Sequence, residues 1–357
     1  MFNTDAFKGK TVLVTGHTGF KGSWLSIWLK ELGANVVGYA LEPHTQDDIF
    51  VTSKLEDRIR SSIIADIRNY RILTDAFEHF HPETVFHLAA QPIVRQSYND
   101  PIFTYDTNIM GTVNVLECCR QTSSVKAVVV VTSDKCYQNN EWDWGYREND
   151  TLGGRDPYSS SKACVELITA AYRDSFLRQQ GKRIATARAG NVIGGGDWQT
   201  DRLVPDCIRA LKKHEPIKIR NPEAVRPWQF VLEPLAGYLM LAERLLGEDG
   251  EKFEGAWNFA PTADNTLTVK DIVESVIENW VIDGDGPWRD ARCIAQHSYT
   301  PETKMLMLDA SKARRLLHWK PKLSISEAIR YTVDWYKSES PDYVFCWNQL
   351  LNYDYIK

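Results

Sequence analysis

Short apolar runs and stripes of helical period alternate along the first half of the chain. Thr11-Val12-Leu13-Val14 is nearly all apolar and runs into a glycine turn, which predicts a buried strand. Trp24, Leu25, Ile27, Trp28 and Leu32 then recur at helical spacing, with Gly33 as the stop. Strands are predicted over Val36 to Tyr39, Ser62 to Ala65 and Thr84 to Leu88. Ile109, Val113 and Leu116 mark one apolar face of a helix that ends near Gln121. Ala127 to Val131 predicts a fifth strand, Pro157 to Arg178 a long helix and Arg183 to Arg188 a sixth strand. Strands without polar alternation, joined by helices, predict an α/β fold with a doubly wound parallel sheet covered on both faces.

The pattern changes after about Asn191. Gly194-Gly195-Gly196 and Pro-spaced segments up to Pro234 predict loops and short elements. Helices are expected again at Pro234–Leu246, Val269–Trp280, Ser311–Leu317 and Ser324–Lys337. The division expected is a dinucleotide-binding domain over residues 1–190 and a smaller α/β substrate lobe over 191–357, with a chain that can cross back between them. No internal repeat or low-complexity tract stands out.

Composition narrows the function classes. A chain of 357 residues with 43% hydrophobic content can bury a large core. A net charge of −5 gives no basic face for nucleic acid. The longest apolar run is strand-sized, so no membrane span is expected. The N-terminus lacks a basic stretch followed by an apolar one, so no secretory leader is expected. Seven cysteines without C-x-x-C spacing read as reduced thiols in a cytoplasmic protein. Eight scattered histidines show no metal spacing, and no metal is expected.

Candidate chemistry begins at Thr15-Gly16-His17-Thr18-Gly19-Phe20-Lys21-Gly22. A G-x-x-G-x-x-G loop between a strand and a helix is a dinucleotide cradle. Gly16 permits the tight turn, Gly19 lets the backbone approach a pyrophosphate, and Gly22 lets helix and sheet pack. The helix N-terminus offers free N–H groups and a positive dipole end. His17 and Phe20 sit in the same loop. An acid that would bond the adenosine ribose is missing where the second strand runs into Ala40; Glu42 is the nearest substitute. No arginine there meets a 2′-phosphate, which favours NAD over NADP. Asp66-Ile67 either contacts adenine or ends a strand.

Tyr158 and Lys162 lie four apart on one helix face. A tyrosine of pKa about 10 is a poor base at neutral pH, and a nearby ammonium and a nicotinamide cation both favour its phenolate. Ser133, Asp134 and Lys135 follow the fifth strand, at the sheet end where open α/β folds bind ligands. A hydroxyl steers a reacting oxygen; a carboxyl and an amine beside it supply an acid and a base for a second step, unless they form an inert loop pair.

At these residues the chain resembles the extended short-chain dehydrogenase/reductases and, within them, the nucleotide-sugar 4,6-dehydratases, in their CDP-glucose branch. The resemblance runs from about Lys10 to Trp335. It rests on Thr15 to Leu25 (TGHTGFKGSWL), Ala89 to Tyr98 (AAQPIVRQSY), Thr132 to Tyr137 (TSDKCY), Glu141 to Glu148 (EWDWGYRE) and Asp156 to Lys162 (DPYSSSK). It implies a Rossmann-type sheet, bound NAD and CDP-glucose as substrate. The implied reaction oxidises the sugar at C4, eliminates water across C5–C6 and reduces C6, for deoxysugar biosynthesis of the lipopolysaccharide O-antigen kind. By resemblance Tyr158 and Lys162 are the redox pair, Ser133 the hydroxyl position and Asp134 the acid that protonates the departing C6 hydroxyl. Lys135 departs from the dTDP-glucose relatives, which carry Glu as the C5 base, and leaves the C5 base open.

Ala89 and Asn108 match cofactor-side positions of the family, and Asn191 and Arg226 its substrate contacts. Arg202 is a second candidate for the substrate diphosphate, by guanidinium chemistry. Gln91 and Arg95 follow the fourth strand and face the sugar pocket by position. Trp142, Trp144 and Trp198 are placed beside the cleft. A homo-oligomer, dimer or tetramer, through the helices carrying Ile109 and Tyr158 is the implied assembly. A sugar 4-epimerase shares the loop and the Tyr-Lys pair without needing Asp134 and Lys135. A 4,6-dehydratase for another nucleotide, a nucleotide-sensing regulator on an inactive scaffold, and an interaction protein are the other readings.

Overall fold

The computed structural model describes residues 4–261, 266–280, 293–295 and 305–355. Six strands form where the apolar runs lie: β1 (Thr11–Thr15), β2 (Asn35–Ala40), β3 (Ser61–Ile64), β4 (Thr84–His87), β5 (Ala127–Val131) and β6 (Arg183–Ala189). A seventh, Gly255–Phe259, joins the edge beside β6. The spatial order is Gly255–Phe259, β6, β5, β4, β1, β2, β3, and every pairing is parallel. This is the α/β, doubly wound, Rossmann-type sheet the apolar runs imply. Strand order reverses between β4 and β1, which opens a crevice at their carboxyl ends.

Both faces of the sheet are dry, which is why its strands are apolar throughout. On β5, Ala127, Val129 and Val131 enter one core, and Val128 and Val130 enter the other. The first core packs α1 (Phe20–Glu31) against the sheet through Trp24, Leu25 and Trp28. Short α2 (Ile49–Thr52) adds Ile49 and Phe50 to it. The second core takes α3 (Tyr70–Phe80) through Leu73 and Phe77. Each such buried side chain stabilises the fold by about 1.5–3 kcal/mol.

Two helical expectations shift. After α4 (Val94–Asn99) and α5 (Pro101–Tyr105), a π turn at Asp106–Met110 precedes α6 (Gly111–Gln121). The wider turn rotates the faces, so Asn108, Thr112, Val115 and Leu116 are buried while Ile109 and Val113 are only half-buried. The long helix expected to Arg178 is α7 (Pro157–Tyr172), then a π turn at Arg173–Leu177 and a 3₁₀ turn to Gln180.

Past Ala189 the chain builds two-stranded ribbons: Val192–Ile193 with Gln229–Phe230, Ile217–Ile219 with Cys293–Ala295, and Val225–Pro227 with Thr266–Thr268. The stretch expected to be loops contains a full helix, α8 (Leu203–Lys213). Helix α9 (Leu232–Leu246) crosses back onto β5 and β6 and delivers the edge strand. Helices α10 (Val269–Trp280) and α11 (Ile325–Lys337) pack together, and Ser324 and Glu327 form a capping box on α11. The last helix, α12 (Tyr343–Tyr355), returns to α1, where the rings of Trp28 and Tyr353 meet edge to face at 5.9 Å. Among the described residues no helix is long and apolar enough to cross a membrane, and six cysteines are free thiols.

A buried ion pair joins α7 to the sheet. Glu166 accepts from Arg188 Nε at 2.9 Å and Nη2 at 2.8 Å, and from the hydroxyls of Thr132 and Thr186. Arg188 also donates to the Tyr137 hydroxyl and the Glu148 carbonyl. Removing one partner strands a charge out of water. The Arg188→Met protein is expected to lose about 3–5 kcal/mol of stability, read as a lowered urea midpoint. A Glu166→Gln/Arg188→Met double variant is expected to lose less than the sum of the single losses.

Candidate active site

A cleft of about 830 Å³ lies over the carboxyl ends of β1, β4, β5 and β6. The β1–α1 loop forms one wall. Gly16 takes φ +79°, the left-handed region, and a Cβ there would approach the Ala89 nitrogen to 2.8 Å. A Cβ on Gly22 would overlap the Gly16 carbonyl, so this glycine lets the helix close on its own loop rather than on the sheet. Around Gly19 a Cβ would meet only the Gly16 oxygen, at 3.4 Å, leaving its cleft side open. Gly19 is also the N-cap of α1 and brings no side-chain cap. The first N–H groups of the helix therefore remain available to an anion. This bare, uncapped cradle fits the pyrophosphate of a dinucleotide.

His17 does not face that anion. Its ring is buried, edge-on to Phe50 at 5.2 Å, with Nε2 at 2.8 Å from the Ser62 hydroxyl. A Cβ on Gly38 would overlap the imidazole. Burial pushes the His17 pKa down to about 4, so the ring stays neutral at physiological pH. His17 thus locks the loop to β2.

Along the rest of the cofactor side, Phe20, Asp66, Ile67 and Ala89 line the cleft. Asp66 is also tied to Arg68 at 2.7 Å, which holds its carboxyl below the usual range despite opposing burial. At the end of β2 the cleft meets Ala40, exposed Leu41 and Glu42.

The opposite wall carries the reactive groups. Ser133, Asp134, Lys135, Tyr158 and Lys162 all line the cleft. Ser133 donates to Asp134 Oδ1 at 2.8 Å and accepts the Lys135 N–H at 3.2 Å, fixing the turn after β5. Burial raises the Asp134 pKa, against the opposing pull of Lys135, Ser133 and Arg226. Gly190 leaves room for this carboxyl: a Cβ there would stand 3.2 Å from Oδ2. Tyr158 and Lys162 face the turn from α7, with the ammonium 6.0 Å from the phenol ring centroid. Burial pushes Tyr158 up to about 12, with Ser133 opposing, and pulls Lys162 down to about 8, with Glu166 opposing. With protein groups alone, the tyrosine is a neutral phenol, and the phenolate needs a further cation beside it.

On the outer side Arg95, Asn191, Arg202 and Arg226 line the cleft. Arg95 pairs with Asp201 at 2.8 Å and Arg202 with Asp197 at 3.3 Å. Two other expected contacts turn away. Gln91 accepts the Ile93 N–H at 2.6 Å and donates to Thr104 at 2.9 Å. Buried Asn108 holds the Gln91 backbone through both amide atoms and bonds Ser161 at 2.9 Å. Both side chains shape the loop after β4 without lining the cleft. Trp142 stacks on Tyr146 at 5.2 Å and meets Trp144 at a tilt at 5.3 Å, and neither tryptophan lines the cleft. Trp198 points its indole N–H to the Asp47 carbonyl. Among the described residues no group of His, Cys, Asp and Glu is placed to hold a metal.

The family model described as GDP-mannose 4,6 dehydratase matches residues 13–332. The chain belongs to this family. A CDP-glucose 4,6-dehydratase of Salmonella typhimurium is 48% identical over 95% of this chain and 93% of its own length. Among solved structures, dTDP-glucose 4,6-dehydratase of Bacillus anthracis in complex with NAD superposes with a TM-score of 0.75 at 20% identity, over 93% of this chain and 97% of that one. UDP-glucose 4-epimerase of Thermus thermophilus in complex with NAD gives 0.77 at 23%, over 92% and 99%. The fold is therefore shared with solved structures of both kinds.

The interlock of His17 with Gly38 has a thermodynamic signature. Gly38→Ala is expected to cost about 1–3 kcal/mol by overpacking. In a His17→Ala background the same change is expected to cost much less, a coupling read from urea unfolding of the four proteins.

Proposed function

We propose that this chain is an NAD-dependent hydro-lyase that converts CDP-D-glucose to CDP-4-keto-6-deoxy-D-glucose. The observation that carries the reading is a buried Asp134 with a raised pKa in the same cleft as Tyr158 and Lys162. A 4-epimerase needs the Tyr-Lys pair but has no use for a carboxylic acid kept protonated beside it. The 48% identity to a CDP-glucose 4,6-dehydratase supports the same choice and the nucleotide.

Bound NAD supplies the two-electron oxidation at C4 and the matching reduction at C6. The loop N–H groups of Gly16 to Gly22 hold its pyrophosphate, Asp66, Ile67 and Ala89 line its adenosine side, and Lys162 holds the nicotinamide ribose. Tyr158, brought to phenolate by the cations around it, takes the proton of the C4 hydroxyl, which Ser133 orients. The resulting C4 ketone acidifies the C5 hydrogen. Lys135 removes that proton, Asp134 gives its own to the departing C6 hydroxyl so that one water leaves, and Lys135 returns the proton to C5 as C6 is reduced. Arg226, Arg202, Arg95 and Asn191 hold the sugar nucleotide at its diphosphate and beyond. Residues 1–190 act as the cofactor domain, and 191–357 as the sugar-nucleotide lobe with the edge strand returned to the sheet.

The enzyme acts in the cytoplasm as a homo-oligomer. Ile102, Met110 and Leu167, exposed at 80%, 50% and 59% on α5, the π turn and α7, offer the apolar surface for that contact.

Mass spectrometry after incubation with NAD and CDP-, dTDP-, UDP- or GDP-glucose tests the reading. A product lighter by one water from CDP-glucose alone is expected; an isobaric epimer would overturn it. Asp134→Asn is expected to keep C4 oxidation, seen as absorbance of reduced cofactor in a single turnover, and to lose elimination by at least about 100-fold. Because Asp134 works in its acid form and burial raises its pKa, elimination is expected to fall as pH rises through that value.

A further inference from the structure

The Lys21 side chain has no part in the scheme above, yet the residue lines the same cleft. It is the second residue of α1, whose first turn contains no acid. A cation there sits against the positive end of the helix dipole. Burial, Arg202 and Lys162 bring its pKa down to about 8, with Asp134 and Asp197 opposing. Among the described residues no hydrogen bond or ion pair closes on its ammonium. A lysine so placed destabilises the protein around it unless an anion arrives from outside.

Its neighbours mark where the anion lies. On one side are the bare N–H groups of the α1 cradle; on the other is Arg202, across the cleft with its Asp197 partner. Lys162 and Asp134, the latter on the turn after β5, are also near enough to act on the Lys21 charge. We infer that Lys21 binds a diphosphate oxygen of a nucleotide seated in the cleft, closing the gap between the α1 cradle and the arginine side. The inference rests on the cleft being the dinucleotide and sugar-nucleotide site. The diphosphate belongs either to the cofactor or to the sugar nucleotide. A dianion removes the charge penalty, so the amine is held as ammonium in the complex, which suits a phosphate clamp and not a proton acceptor at C5.

Isothermal titration of the full-length protein with NAD and, separately, with CDP tests this, using wild type, Lys21→Met and Lys21→Arg. Lys21→Met is expected to weaken one of the two by about tenfold or more, the effect of losing one charge-assisted hydrogen bond. Loss in the NAD titration assigns the cofactor diphosphate; loss in the CDP titration assigns the substrate's. Lys21→Arg is expected to retain most of the affinity, because a guanidinium also grips phosphate. Without ligand, Lys21→Met is expected to melt no lower than wild type, since it removes an uncompensated charge. Wild-type affinity for both ligands in Lys21→Met overturns the inference, whether or not the variant melts lower. Wild-type protein that binds neither ligand overturns the functional reading itself.

Discussion

The Glu166–Arg188 pair is the joint on which the reactive side of the cleft depends. A charged pair out of water holds its place only when every lone pair and proton is met. Meeting them ties Thr132 at the end of β5, Thr186 and Arg188 on β6, Tyr137 beyond the turn and Glu148 to one helix. Lys162 lies one turn before Glu166 on α7, and Tyr158 two turns before it. Ser133 is the next residue after Thr132. The pair therefore sets the separation between the Tyr-Lys face and the Ser-Asp-Lys turn, and the Glu166 charge helps keep Lys162 protonated.

Burial then acts on the whole cluster in one direction. It pushes Asp134 and Tyr158 toward neutral acids, and Lys162 and Lys21 toward neutral amines. Burial brings each of these groups nearer its neutral form than it would be in water. On the function proposed, diphosphates bring anions to the lysines, and an oxidised nicotinamide brings a cation to the tyrosine. Acid and base roles in one small volume follow from that unequal traffic of charge.

The sheet was legible in the sequence because strands buried on both faces leave uninterrupted apolar runs. Gly255–Phe259 was not, since GAWNF is short and carries a glycine and an asparagine that a loop would carry as readily. α8 was missed for a related reason: its amphipathic stripe lies among prolines and glycines that read as loop. The face of α6 was misplaced because a π turn leaves no mark in hydrophobic spacing. In the site, motif position told which loop a residue occupies but not where its side chain goes. Gln91 and His17 sit on the expected loops and Asn108 on the expected helical stretch, and all three turn inward to make buried hydrogen bonds. Lys21 was in plain view within the glycine loop. Its signal, a cation in the first turn of a buried helix, needs the helix and its burial to be known first.

The edge strand carries a consequence for biosynthesis. β6 ends at Ala189, but its outer partner begins at Gly255. A ribosome adding about 5–20 residues per second takes on the order of several seconds to cover that interval. Throughout it the nascent chain presents an open, apolar β6 margin, flanked by a face that α9 has yet to cover. A margin of that kind is where chaperones bind and where neighbouring nascent chains pair wrongly. The return of the polypeptide to its first sheet is thus also the step that ends its vulnerability.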